Sequence, residues 1–157
     1  MQTIINPENG HRALRRGRVS LPRQVYHVTS ATRSRAPLFA DHRAAQAACR
    51  AFIDPPVLDH SRLLAWVLMP DHAHWLLQLH GGESLAVLVG RLKSASARRA
   101  NAALGRRSPV WATGYHDRAV RSEQALSDVA RYLVANPLRR GLVERIGDYP
   151  YWDAVWL

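Results

Sequence analysis

The run Trp66-Val67-Leu68-Met69-Pro70-Asp71-His72-Ala73-His74-Trp75-Leu76-Leu77-Gln78-Leu79 decides the fold. It is the most apolar stretch of the chain, yet it holds two histidines one residue apart. Val, Leu and Trp favour extended chain, and Met69-Pro70-Asp71 marks a tight connection. The run therefore predicts a hairpin of two strands, Leu63 to Leu68 and His72 to Leu79. Side chains alternate along a strand, so His72 and His74 share one face with Leu76 and Gln78. Ala73, Trp75, Leu77 and Leu79 point the other way, into a core. Two imidazoles about 7 Å apart on one face of a strand can share a metal ion. The bland alternative is a pair of hydrogen-bonded core histidines. Their common register directly after a turn favours ligands.

Outward from the hairpin, the chain alternates between strand and helix signals. Gln24 to Ser30 reads as a first strand, and Asp41 caps a helix that runs to about Phe52, stopped by Asp54-Pro55-Pro56. Gly81-Gly82 closes the hairpin. Ser84 opens a helix through roughly Asn101, with Leu85, Leu88, Val89 and Leu92 as its buried stripe and Arg91, Lys93, Arg98 and Arg99 available outside. Val110 to Trp111 and Tyr115 to Arg121 look like short strands. A third helix begins at Ser122-Glu123-Gln124, packs through Leu126, Val129 and Leu133, and ends at Asn136-Pro137. His27, His42 and His80 read as surface or core residues, and His116 and Asp117 as turn or strand-edge residues in preference to a pair supporting the metal ligands. The order predicts an α+β sandwich, with helices stacked on one face of an antiparallel sheet and the third helix over the other.

At 157 residues the chain is one domain. Residues 1–23 read as a basic arm and 144–157 as an aromatic tail packing on the domain. Twenty-two basic against twelve acidic residues give a net charge of +10, which favours a polyanion, most simply nucleic acid. Lys93 is the only lysine, so nearly all of the positive charge is guanidinium, the group that grips phosphate as a two-pronged fork. Arg12, Arg15, Arg16, Arg18 and Arg23 of the arm, Arg33 and Arg35 of the following loop, and Arg139 and Arg140 near the third helix are the candidate DNA contacts. The single cysteine, Cys49, excludes an intrachain disulfide and suits the cytosol. No apolar run has the length of a membrane span, and no P-loop glycine pattern calls for a nucleotide cofactor.

The histidine pair needs a further ligand and something to activate. Tyr132 and Asn136 lie four apart on the third helix, which in an α-helix places them about 40° apart around the axis. If that face covers the pair, the Asn136 carbonyl oxygen can join the metal and the Tyr132 hydroxyl can stand beside it. A phenol is a weak nucleophile without electrostatic help, and a metal supplies that help by drawing charge from a bound phosphate. The fitting chemistry is attack by Tyr132 on a DNA phosphodiester, with a phosphotyrosine intermediate. Tyr115, in Gly114-Tyr115-His116-Asp117-Arg118, is the rival nucleophile but lacks the amide partner.

His72-Ala73-His74 after Met69-Pro70-Asp71 resembles the His-hydrophobic-His motif of HUH single-strand nucleases. More narrowly the chain resembles the REP-associated tyrosine transposases, and the resemblance spans most of it. Four segments carry it in order: Gly17 to Pro22 before Tyr26-His27-Val28-Thr29; Trp66 to His74; Arg131 to Val143; and Asp148-Tyr149-Pro150. The resemblance implies a ferredoxin-like catalytic domain in the bacterial cytoplasm and nucleoid. It implies a Mg²⁺- or Mn²⁺-dependent cut in single-stranded DNA at REP hairpins, with a 5′-phosphotyrosine link. By position it makes His72 and His74 ligands and Tyr132 the nucleophile. Asn136 stands where insertion-sequence relatives often have glutamine, which keeps the amide but shortens its reach. Imidazole pairs uneasily with Mg²⁺, and Mn²⁺ tolerates nitrogen better. A non-catalytic hairpin-binding protein of the same fold, or an unrelated metal-dependent hydrolase that does not use Tyr132, are the competing readings. Monomer and dimer are both compatible with the sequence.

Overall fold

The strand that carries the two histidines lies at the centre of the sheet. The computed structural model describes residues 24–156. Its strands are β1 (Val25–Ala31), β2 (Arg62–Met69), β3 (His72–Gln78), β4 (His116–Val120) and β5 (Trp152–Ala154). They form one antiparallel sheet in the order β4-β1-β3-β2-β5. The helices are α1 (His42–Phe52), α2 (Pro55–Leu58), α3 (Leu85–Leu104), α4 (Glu123–Val134) and α5 (Asn136–Arg139). This is the expected α+β, ferredoxin-like arrangement.

Alternation in β3 splits the molecule into two layers. Ala73, Trp75 and Leu77 face α1, α2 and α3 in a core that also takes Tyr26 and Val28 from β1 and Trp66 and Leu68 from β2. Phe52, at the end of α1, meets Trp75 and Trp66 edge-on, with ring centroids 5.2 and 5.7 Å away. Such aromatic contacts add to the area they bury. On the opposite face Ala65, Val67, Met69 and Leu76 lie under Ala130, Leu133 and Val134 of α4, with Tyr149 and Ala154 from the C-terminal segment.

The helix starts follow the capping residues. Asp41 accepts from the backbone N–H groups of Arg43 and Ala44, Ser84 from that of Val87, and Ser122 from that of Ala125. Gly105, at φ +64°, ends α3 in the left-handed conformation that costs glycine least.

Several boundaries differ from the sequence reading. Asp54-Pro55-Pro56 stops α1 but also opens the short α2, because the first turn of a helix tolerates proline. The same property lets Pro137 sit inside α5 after α4 has ended at Val134. Tyr132 and Asn136 therefore do not share one continuous helix. Val110 to Trp111 contributes a single bridge, Thr32 to Trp111, and not a strand. Arg91, Lys93 and Arg99 are not free for ligands. Arg91 holds Glu83 and the Val57 carbonyl, Lys93 donates to the carbonyls of Ala112 and Gly114, and Arg99 pairs with Asp54.

Candidate metal and nucleophile site

The face of the sheet opposite α1 and α3 carries His72 and His74. Register places Thr29 and Val67 on either side of His74, and Ala31 and Met69 on either side of His72. The two rings stand edge-on with centroids 5.0 Å apart, and both residues are buried. Each has its Nδ1 engaged. His72 Nδ1 is 2.7 Å from Asp71 Oδ1, an atom that can only accept, so His72 carries its proton there. His74 Nδ1 lies 2.9 Å from His27 Nε2 and 3.1 Å from Thr29 Oγ1. Both rings thus keep Nε2 clear of these contacts.

Electrostatics keeps the pair neutral. Burial lowers the pKa of His74 to about 3, helped by the neighbouring imidazoles and by Arg139 and Arg140. Burial also lowers His72, against the opposing pull of Asp71. His27 falls to about 4 through burial and the charge of Arg118. Burial raises the Asp71 carboxyl, but His72, Arg35 and Arg140 together outweigh it and hold it below the usual range. Neutral imidazoles with their Nδ1 atoms tied and their Nε2 atoms clear have the state that metal coordination requires. Among the described residues there is no cluster of three His, Cys, Asp or Glu side chains that could hold a metal.

The helical connection supplies the other groups. Asn136, at the start of α5, is buried. Tyr132 is 58% exposed, because the docking stripe of α4 (Ala130, Leu133 and Val134) turns position 132 away from the sheet. Arg139 links Tyr132 to the histidines: its Cζ lies 3.8 Å from the centroid of the Tyr132 ring, and its charge acts on His74. Arg140 acts on Asp71, His72 and His74, and Arg35 Nε lies 3.3 Å from Asp71 Oδ2. Arg33 is exposed in the loop after β1. The rival Tyr115 is buried in the helix-side core. His116 and Asp117 lie on β4, an edge strand of the sheet, as the strand-edge reading expected. Arg12, Arg15, Arg16, Arg18 and Arg23 lie outside the described residues.

Sequence reasoning missed three participants: His27, Thr29 and Asp71. Asp71 could have been found as a carboxylate adjacent to a candidate ligand. His27 and Thr29 could not, because only strand pairing brings β1 beside His74.

The architecture is that of a ferredoxin-like α+β protein with histidines and arginines on one sheet face. Residues 20–136 match the family described as "Transposase IS200 like", and the chain belongs to that family. A Haemophilus influenzae protein named as a candidate REP-associated tyrosine transposase is 28% identical over 98 residues. That alignment covers 56% of this chain, and the chain spans 56% of that relative's length. A solved structure of a REP-associated tyrosine transposase bound to a REP hairpin superposes with a TM-score of 0.67 at 20% identity, covering 86% of this chain and 79% of that one. A Deinococcus radiodurans candidate transposase superposes with a TM-score of 0.52 at 26% identity, covering 74% and 93%. No helix among the described residues is long and apolar enough to cross a membrane.

Proposed function

We propose that the protein is a metal-dependent single-stranded DNA endonuclease and strand transferase that cuts at REP-type hairpins through a 5′-phosphotyrosine link to Tyr132. The observation that carries this is the sheet face itself: two neutral histidines with clear Nε2 atoms, joined through Arg139 to an exposed tyrosine. The family match and the hairpin bound to the structural relative support DNA as the substrate.

The Tyr132 Oη would attack the scissile phosphorus and form an O–P bond while the bond to the 3′ oxygen breaks. The phenolic proton passes to solvent, the leaving 3′ oxygen takes one up, and the 5′ phosphate remains on Tyr132. One phosphoester replaces another, so rejoining by a 3′ hydroxyl needs no nucleotide cofactor. A Mg²⁺ or Mn²⁺ ion held by His72 and His74, with Asn136, would supply charge withdrawal from the phosphate oxygens. Arg139 fixes the tyrosine ring from above, and Arg35, Arg139 and Arg140 offer guanidinium forks to neighbouring phosphates. The substrate places the work on chromosomal DNA in the bacterial cytoplasm.

The test is incubation with a labelled single-stranded REP hairpin and its flanks, with Mn²⁺ or Mg²⁺, followed by a denaturing gel. A metal-dependent protein–DNA adduct is expected in the wild type and in Tyr115→Phe, and is expected to vanish in Tyr132→Phe and His72→Ala. Cleavage that survives Tyr132→Phe without an adduct would make the protein a hydrolase. Tight binding to several hairpins with no cutting under either ion would make it a binding protein.

A further inference from the structure

His27 is the third imidazole on the site face, and neither the nucleophile nor the ligand pair gives it a role. It stands on β1 two residues before Thr29, whose register partner is His74. Its ring is tilted 32° from that of His74, with centroids 5.1 Å apart. A neutral imidazole has one N–H and one lone pair, and the partner of one nitrogen decides what the other can do. At His72 the carboxylate of Asp71 settles this, because it accepts only. At His74 no carboxylate among the described residues is hydrogen-bonded to the ring. The groups at Nδ1 are a ring nitrogen and a hydroxyl. A hydroxyl rotates and can serve either tautomer, whereas a ring nitrogen either carries a proton and donates or carries a lone pair and accepts, and so fixes the role of the nitrogen facing it.

We propose that His27 is a positioning residue: its Nε2 accepts the Nδ1 proton of His74, and this turns the His74 Nε2 lone pair outward to match that of His72. The two ligands are then set by different devices, a carboxylate on the same strand for one and a neutral ring from the neighbouring strand for the other. The inference rests on the reading of His72 and His74 as a ligand pair. It adds that the pair is complete only when β1 is paired in register.

The first measurement is the tautomer of His74 in the metal-free full chain, read from two-bond ¹H–¹⁵N correlation of ¹⁵N-histidine-labelled protein at neutral pH. The second is Mn²⁺ affinity, from the loss of the free-ion paramagnetic resonance signal. In the wild type the His74 proton is expected on Nδ1. His27→Ala should give mixed tautomers and a Mn²⁺ affinity about 10- to 100-fold weaker, the usual cost of losing a partner behind a metal-binding histidine. His27→Gln, whose carbonyl oxygen can accept the same proton, should recover most of both, which a merely space-filling role for His27 would not produce. A wild-type His74 protonated on Nε2 overturns the inference, as does a His27→Ala protein with unchanged tautomer and Mn²⁺ affinity within twofold. Wild-type Mn²⁺ uptake no better than that of His72→Ala overturns the ligand-pair reading itself. Because the tautomer is read without metal, the two failures are distinguishable.

Discussion

Asp71→Asn should separate metal binding from folding. The Asp71 carboxylate accepts from His72 Nδ1 at 2.7 Å and pairs with Arg35 at 3.3 Å. Its backbone carbonyl accepts from the Thr32 N–H and hydroxyl, and substitution leaves those bonds in place. Asparagine keeps an acceptor beside His72 but removes the charge, turning a bond worth about 1.5–3 kcal/mol into one worth about 0.5–1.5. The difference of about 1–1.5 kcal/mol corresponds to roughly tenfold weaker Mn²⁺ binding, and Asp71→Ala should approach 100-fold. The effect on folding is smaller. Arg35 is half exposed, so its pair with Asp71 contributes about 0–1 kcal/mol, or at most about 4 °C in Tm. The pH dependence has a definite sign. A carboxyl held below its usual pKa stabilises the fold above the unfolded value, and that contribution is lost as pH falls through the folded one. The stability gap between wild type and Asp71→Asn should therefore be flat above about pH 5 and close below about pH 4. Mn²⁺ titration and urea unfolding on the same preparations check this. Mn²⁺ affinity within twofold of wild type, or a stability loss above about 3 kcal/mol, would refute the reasoning, the latter by showing a buried structural charge.

His27 and His74 have folded pKa values of about 4 and 3, below 6.5, so the unfolded chain takes up their protons first. Stability should rise with pH between about 4 and 6.5, by up to about 1.4 kcal/mol per pH unit for each group, and His27→Gln should flatten the slope of urea midpoints by about one proton. Arg139→Ala and Arg140→Ala should each reduce the salt slope of single-stranded DNA binding by about 0.7. Lys93→Met should leave that slope unchanged while lowering Tm, since it strips the carbonyls of Ala112 and Gly114 of their donor. Trp75→Ala should cost about 3–5 kcal/mol in urea unfolding. Trp75→Phe should cost much less, because the Trp75 indole N–H is buried without a partner.

The sheet was legible in the sequence wherever alternation was strong. Leu63 to Leu79 disclosed both strands, their turn and the faces of His72 to Leu79, though not the bulge between Leu63 and Ala65, and Asp41, Ser84 and Ser122 marked three helix starts. The short elements were not legible. Pro55, Pro56 and Pro137 read as breakers, whereas in a first helical turn they are compatible with helix. Three basic residues of α3 and its flanks read as solvated charge, but their partners at Glu83, Asp54, Ala112 and Gly114 are set by tertiary contact. At the site, His72 and His74 were visible because two residues of spacing is a strand period. Their Nδ1 partners divide along the same line: Asp71 is adjacent in sequence, while His27 and Thr29 lie more than 40 residues away.

That division explains why fold and site stand or fall together. On β1, Tyr26 and Val28 belong to the helix-side core and His27 and Thr29 to the site face. A one-residue slip of β1 against β3 would expose the first pair and bury the second, so the hydrophobic alternation that secures the core also delivers His27 to His74. On the far side of β3, Val67 and Met69 flank the histidines while forming the floor on which Leu133 and Val134 of α4 rest. The same docking stripe turns Tyr132 outward to Arg139. Tyr132 and the histidine pair are thus placed by the packing of a single sheet face. A substitution such as Val67→Ala, which touches neither metal nor DNA, should loosen α4 and weaken cutting beyond its cost of about 1–3 kcal/mol in stability.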